Sequence, residues 1–220
     1  MATAPVNRWL LGSTVQPLVL VMGLLPALWL VCAAMLNLLG ANPAEALVRS
    51  TGDWTLRMLC VVLAVTPLRV SLNLPALLRL RRTLGLYVYF YALLHLLCYA
   101  WFDMGLDASD MARDIAKRPF ILVGFTALVL LTPLALTSFN RAVRWLGATR
   151  WQALHRLVYA VAVLALLHFF WMRAGKRNFA EVLVYASVLG ALLGWRLWRR
   201  LSGQRGGAAV GRAGVDARLR

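Results

Sequence analysis

Three histidines, His95, His155 and His168, are the only ones in the chain, and each lies inside a long apolar stretch. Imidazole titrates near neutral pH, which makes it an awkward choice for apolar packing, and it is the usual axial ligand of heme iron. One such histidine is as readily an interhelical hydrogen-bonding group. Three of three point instead to a bound cofactor. Arg156, next to His155, offers a guanidinium to a propionate or phosphate. The cluster Arg79, Arg81 and Arg82 has the same capacity, but ordinary charge asymmetry between the two sides of a membrane explains it as well. Cys32, Cys60 and Cys98 are spread over three stretches without a C-x-x-C pair, so they read as small apolar fillers. The run Tyr87, Tyr91, Leu94, His95, Cys98 has helical spacing and reads, outside its histidine, as packing.

The elements that must hold these groups follow from composition. Of 220 residues 61% are hydrophobic and 15% charged, more apolar material than a soluble chain of this size can hide. With 24 basic and 8 acidic residues the formal charge is +16, which raises a nucleic-acid binder as a first possibility. The charges, however, leave gaps: residues 9–44, 83–102, 119–140 and 157–172 carry none. Gaps of about 20 apolar residues match roughly 30 Å of hydrocarbon, which excludes a nucleic-acid domain or a soluble enzyme as the main reading. The pattern predicts an all-α fold, a polytopic membrane protein built as a six-transmembrane-helix bundle. The helices are expected at about 15–39, 54–70, 83–102, 119–138, 151–172 and 179–198. Residues 1–14 are then a cytoplasmic N-terminus, 15–200 the membrane domain, and 201–220 a glycine- and arginine-rich cytoplasmic tail with too few apolar residues to pack. The first span reads as a retained helix rather than a signal peptide. No internal repeat is apparent.

Sidedness follows from the basic residues of the short loops. Arg8, the 69–82 and 139–150 loops and the tail from Arg196 hold 15 of them, and the opposite side holds seven. Both termini are therefore expected in the cytoplasm, with the loop carrying Asp103, Asp107, Asp110 and Asp114 outside, as the largest outward patch of charge. The third and fifth spans then both run outward. His95 is about 18 Å into its span and His168 about 25 Å, close enough in depth to face one another across a porphyrin in the outer half of the bilayer. His155 lies about 20 Å below His168 and roughly 220° round the helix from it. It is thus no simple partner for the same iron. It suits a second, inner heme, or a flavin or quinone near the cytoplasmic surface.

Nothing in the chain resembles a nucleotide-binding loop, a zinc-protease motif or a nucleophile elbow. The runs RRTLGLYVYFYALLHLLCYAWFD (Arg81 to Asp103) and WQALHRLVYAVAVLALLHFFW (Trp151 to Trp171), with TPLR (Thr66 to Arg69), do resemble a known family. They are similar to the heme-binding membrane subunits of bacterial methionine-sulfoxide reductase systems, the YedZ family, itself related to the ferric-reductase-like transmembrane domain of NADPH oxidases. The resemblance covers about residues 8–200. It implies a six-helix cytochrome of the bacterial inner membrane carrying heme b, with FMN as a further cofactor. It also implies electron transfer from the quinone pool or a cytoplasmic flavin reductase to a periplasmic molybdopterin-containing subunit, which reduces methionine sulfoxide in oxidised proteins. The family's histidines fall on His95, His155 and His168; larger relatives have four for two hemes, so one ligand has no histidine here. Two other readings stand beside this one: a stand-alone transmembrane reductase of ferric iron or quinone, and a small transporter or assembly factor with structural histidines.

Overall fold

The structure, a computed structural model, describes the backbone of residues 3–174 and 179–216 and the side chains of 4–174 and 179–202. A short helix, α1 (Thr3–Leu11), precedes α2 (Val15–Met35) and α3 (Pro43–Ser71). A 3-10 turn (Pro75–Arg79) leads into α4 (Leu80–Cys98), which runs on into a π-helical turn, Tyr99–Asp103. Then come α5 (Ala108–Lys117), α6 (Pro119–Leu136), α7 (Asn140–Leu146), α8 (Ala148–His155), α9 (Leu157–Ala174) and α10 (Ala180–Asp216). Six stretches are long and apolar enough to cross a membrane: 15–35, 43–71, 75–103, 119–136, 148–174 and 180–202. No strand occurs among the described residues.

Four of the expected spans agree with these to within four residues at either end, two of them starting at the expected residue, and the third begins eight residues early on its 3-10 turn. The second begins at Pro43, eleven residues before the expected start. The reason is local. The Asn42 side chain accepts from the Glu45 amide at 3.2 Å, Pro43 occupies the first helical position where no donor is needed, and Glu45 pairs with Arg49 one turn on at 2.5 Å. Glu45, Arg49 and Asp53 exclude these turns from hydrocarbon, but a helix need not end where the lipid does. Arg57, one turn deeper, lies over the Trp54 ring at 4.8 Å and donates to the Tyr185 hydroxyl of α10.

The fifth span is two helices. At Arg156 the hydrogen bonds tighten to three-residue spacing, Arg156 N to Ala153 O and Tyr159 N to Arg156 O, and α8 passes into α9. The helix α10 continues to Asp216, and 217–220, the end of the expected tail, lie outside the described residues.

Two antiparallel pairs, α3 with α4 and α6 with α9, make the most extensive contacts, and α10 packs on α3 and α9. Their shared core includes Leu59, Val62, Val88, Tyr91, Leu131 and Val161. The outermost helix, α2, is fixed to α4 by the hydroxyls of Tyr87 and Tyr91, which donate to the carbonyls of Leu20 and Gly23. Tyr91 is fully buried, so the tyrosine run is a packing stripe. Large apolar side chains stand exposed along α2, among them Leu25, Leu28 and Trp29, as lipid contact requires. None of the three cysteines forms a disulfide.

Candidate functional site

The early start of α3 decides the site, because its outer turns face α4. There the carbonyl of Val48 lies 2.8 Å from Nδ1 of His95, with the buried Thr51 hydroxyl 3.4 Å from the same nitrogen. A carbonyl can only accept, so Nδ1 carries the proton and donates. The Thr51 hydroxyl proton is directed elsewhere, to the carbonyls of Leu47 and Val48 at 2.8 and 2.9 Å. Across the bundle Nδ1 of His168, on α9, donates to the Phe120 carbonyl in the first turn of α6 at 2.6 Å. In both residues the tautomer is thereby set: Nδ1 is protonated and Nε2 keeps its lone pair.

The two rings meet. Their centroids are 6.2 Å apart with planes at 73°. An imidazole centroid lies about 1.1 Å from its own Nε2 and a metal–imidazole bond is about 2 Å long, so rings on opposite faces of one metal have centroids about 6 Å apart. The observed spacing has that value. Both histidines line a cavity of about 680 Å³, within the range of sites that enclose an organic cofactor. Among the described residues no cluster of three or more His, Cys, Asp or Glu comes together. A histidine pair alone suits a metal whose other ligands arrive with it, as in a porphyrin.

The cavity mouth carries three arginines, each paired. Arg49 pairs with Glu45; Arg118 meets Asp114 at 2.8 Å; Arg173 bridges Glu181 and, at 3.9 Å, Asp53. Tyr99, from the π-helical turn, donates to the other oxygen of Asp114 at 2.8 Å. Over the mouth lies α5, whose partly buried face is Met111, Asp114 and Ile115. The acidic loop is therefore less free than its sequence suggests. Asp114 is held by Tyr99 and Arg118, Asp107 caps α5 by accepting from Ser109 and Asp110, and Asp110 pairs with Arg113 at 3.5 Å.

His155 lies elsewhere. It ends α8, stacks on Trp151 at 3.9 Å and has Nδ1 3.1 Å from the Trp151 carbonyl. It lines a second cavity of about 340 Å³ toward the opposite end of the bundle. The cations lining that cavity are Arg81 and Arg82, whereas Arg156 is exposed and lines neither cavity. Leu59, Val88 and Leu131 border both cavities. Sequence reasoning passed over Val48, Thr51, Gly52, Phe120 and Gly124, which surround the histidine pair; a glycine four residues after each carbonyl acceptor was the available signal.

Residues 51–166 match the family described as "Ferric reductase like transmembrane component". A protein of Polaromonas naphthalenivorans (strain CJ2), named protein-methionine-sulfoxide reductase heme-binding subunit MsrQ, is 64% identical over 209 residues, 93% of this chain and 95% of that one. Proteins of the same name from Ralstonia nicotianae and Bordetella pertussis are 54% and 50% identical, covering 87% and 93% of this chain and 88% and 100% of theirs. No solved structure matches the chain. By matching residues, identity and coverage, this multi-pass membrane chain belongs to the MsrQ family of methionine-sulfoxide reductase heme-binding subunits, within the ferric-reductase-like transmembrane proteins.

Proposed function

We propose that the chain binds heme b between His95 and His168 and serves as the electron-transfer subunit of a methionine-sulfoxide reductase system in the bacterial inner membrane. The observation that carries this reading is the imidazole pair: 6.2 Å between centroids, each Nδ1 committed to a backbone carbonyl and each Nε2 left for a metal. A bound heme would supply a one-electron carrier. The protein's part is to hold both ring planes, keep the Nδ1 protons on Val48 and Phe120, and present Arg49, Arg118 and Arg173 near the mouth, where propionate charge needs partners.

The names of the relatives support the heme assignment, since those proteins are called heme-binding subunits of a protein-methionine-sulfoxide reductase. With 15 basic residues on the side of both termini and seven opposite, the charge bias supports cytoplasmic termini and a heme in the outer half of the bilayer. Electrons then leave toward a periplasmic molybdopterin-containing reductase, whose product is repaired methionine. The donor on this reading is the quinone pool or a cytoplasmic flavin reductase, and Arg81, Arg82 and His155, which line the smaller cavity, would suit an anionic redox group such as FMN.

Heme and flavin stoichiometry on the purified, detergent-solubilised protein tests this. The expected result is a red sample with a Soret band that shifts on dithionite reduction. A chain that stays colourless after reconstitution with hemin overturns the proposal and favours structural histidines.

A further inference from the structure

The two histidines are held by the same device, built twice. On α3, Val48 provides the carbonyl and Gly52 follows four residues later; on α6, Phe120 provides the carbonyl and Gly124 follows four residues later. In an α-helix the amide of residue i+4 donates to the carbonyl of residue i, so each carbonyl serves its glycine and an imidazole together. Phe120 and Gly124 lie 72 residues after Val48 and Gly52, and His168 lies 73 after His95. The chain thus contains a geometric repeat, two antiparallel helix pairs, that side-chain identity conceals.

Each glycine touches the ring. A Cβ at Gly124 would stand 2.7 Å from Nδ1, 2.9 Å from Cε1 and 3.0 Å from Cγ of His168. A Cβ at Gly52 would stand 3.1 Å from Cε1 and 3.3 Å from Nδ1 of His95. By contrast a Cβ at Gly190, on α10, meets nothing within 4 Å. The imidazoles therefore lie against bare helix backbone, and there each Nδ1 reaches a carbonyl already engaged in its helix.

We infer that Gly52 and Gly124 are positioning residues for the axial pair: the missing Cβ lets each imidazole seat against the neighbouring helix, donate Nδ1–H to the carbonyl one turn earlier, and aim Nε2 into the cavity. This rests on the reading of His95 and His168 as ligands of one heme. The two positions are unequal. At Gly124 an added methyl overlaps the ring itself, and His168 must leave its seat. At Gly52 a displacement of a few tenths of an ångström restores contact distance, and the ring turns without leaving.

The test uses the full chain, purified with its heme, as Gly124→Ala, Gly52→Ala and Gly190→Ala. Heme content, the ferric electron paramagnetic resonance spectrum and the midpoint potential are measured on each. Gly124→Ala is expected to lose the low-spin signal by roughly tenfold or more, through high-spin conversion or heme loss, as other outer-shell changes at metal sites do. Gly52→Ala keeps a low-spin signal with altered g-values and potential, and Gly190→Ala matches the parent. A Gly124→Ala protein with parental spectrum and potential overturns the inference. If that variant does not give monodisperse protein, Gly52→Ala decides: altered g-values uphold the inference and unchanged ones overturn it. Survival of the parental signal in His95→Ala and His168→Ala would instead refute the axial reading, so the two failures are distinguishable.

Discussion

The guanidinium of Arg196, on α10, donates to the carbonyl of Leu63, on α3. Leu63 is four residues before Pro67, and proline has no amide hydrogen to return to it. Without Arg196 that carbonyl would lie deep in the bundle lacking its helical partner. The arginine repairs the defect across the α3–α10 interface, and Tyr159 beneath it, 5.7 Å from the guanidinium carbon, supplies a π face.

Arg196→Leu should therefore lower stability in detergent by about 1–2 kcal/mol, the scale of a strong interhelical hydrogen bond in a membrane protein. In the Pro67→Ala background the same change should cost less, because position 67 then has an amide hydrogen to donate to the Leu63 carbonyl. Thermal unfolding of the four proteins in a double-mutant cycle checks this. Additive losses would mean that the arginine acts through something other than the orphaned carbonyl.

The histidines should separate in a spectrum. If His95 and His168, whose ring centroids lie 6.2 Å apart, hold one iron as proposed, His95→Ala and His168→Ala should each abolish its low-spin signal. His155, in its own cavity with Arg81 and Arg82, should leave that signal intact when replaced by alanine. Absorbance and low-temperature resonance on the three variants decide. Loss of the signal in His155→Ala but not in His95→Ala would reverse the assignment.

The shared direction of the third and fifth spans, with rise and turn angle per residue, is enough to bring His95 near His168 and to set His155 apart, because these depend on backbone geometry and not on packing. The surroundings of the pair were not legible. Val48 and Phe120 act through carbonyls, which every residue has, and Gly52 and Gly124 act through an atom they lack. Asn42, Pro43 and Glu45 do spell a helix start, but Arg49 and Asp53 after them read as loop charges, so the expected span starts eleven residues after α3 does. The same bias hid α5, whose charged face is the visible part of its sequence.

The cap of α5 gives a pH prediction. The Asp107 carboxylate accepts from the Ser109 hydroxyl and from the amides of Asp110 and Ser109, which hold its carboxyl below the ordinary aspartate range. A carboxyl depressed in the folded state stabilises the helix above its unfolded value and loses that contribution as pH falls through its folded value. Amide exchange over 108–117, corrected for intrinsic rates, should show protection constant through neutral pH and reduced only in acid below the usual aspartate range. Asp107→Ala should remove this dependence. Equal acid sensitivity in parent and variant would assign the effect to another group.

The acids of the same loop should not behave alike toward an electron-accepting protein. Asp110 is exposed and pairs only loosely with Arg113, so Asp110→Asn changes surface charge and little else. Asp114 is mostly buried between Tyr99 and Arg118, two residues that line the larger cavity. Asp114→Asn weakens both contacts and releases Arg118 at the mouth, and should cost about 1–3 kcal/mol of stability as a buried charged hydrogen bond is degraded. If the loop steers a partner electrostatically, Asp110→Asn should slow electron delivery several-fold at low salt and hardly at all at high salt, because exposed charges are screened beyond about 10 Å at 0.1 M. If a heme occupies the cavity as proposed, Asp114→Asn should change its midpoint potential at every salt concentration, because Asp114 is mostly buried and both of its partners line that cavity. Stopped-flow reduction of the partner across a salt series, with potentiometry on each variant, separates the two effects. A salt-dependent rate in Asp114→Asn with an unchanged potential would move the role of that carboxylate from the cavity mouth to the docking surface.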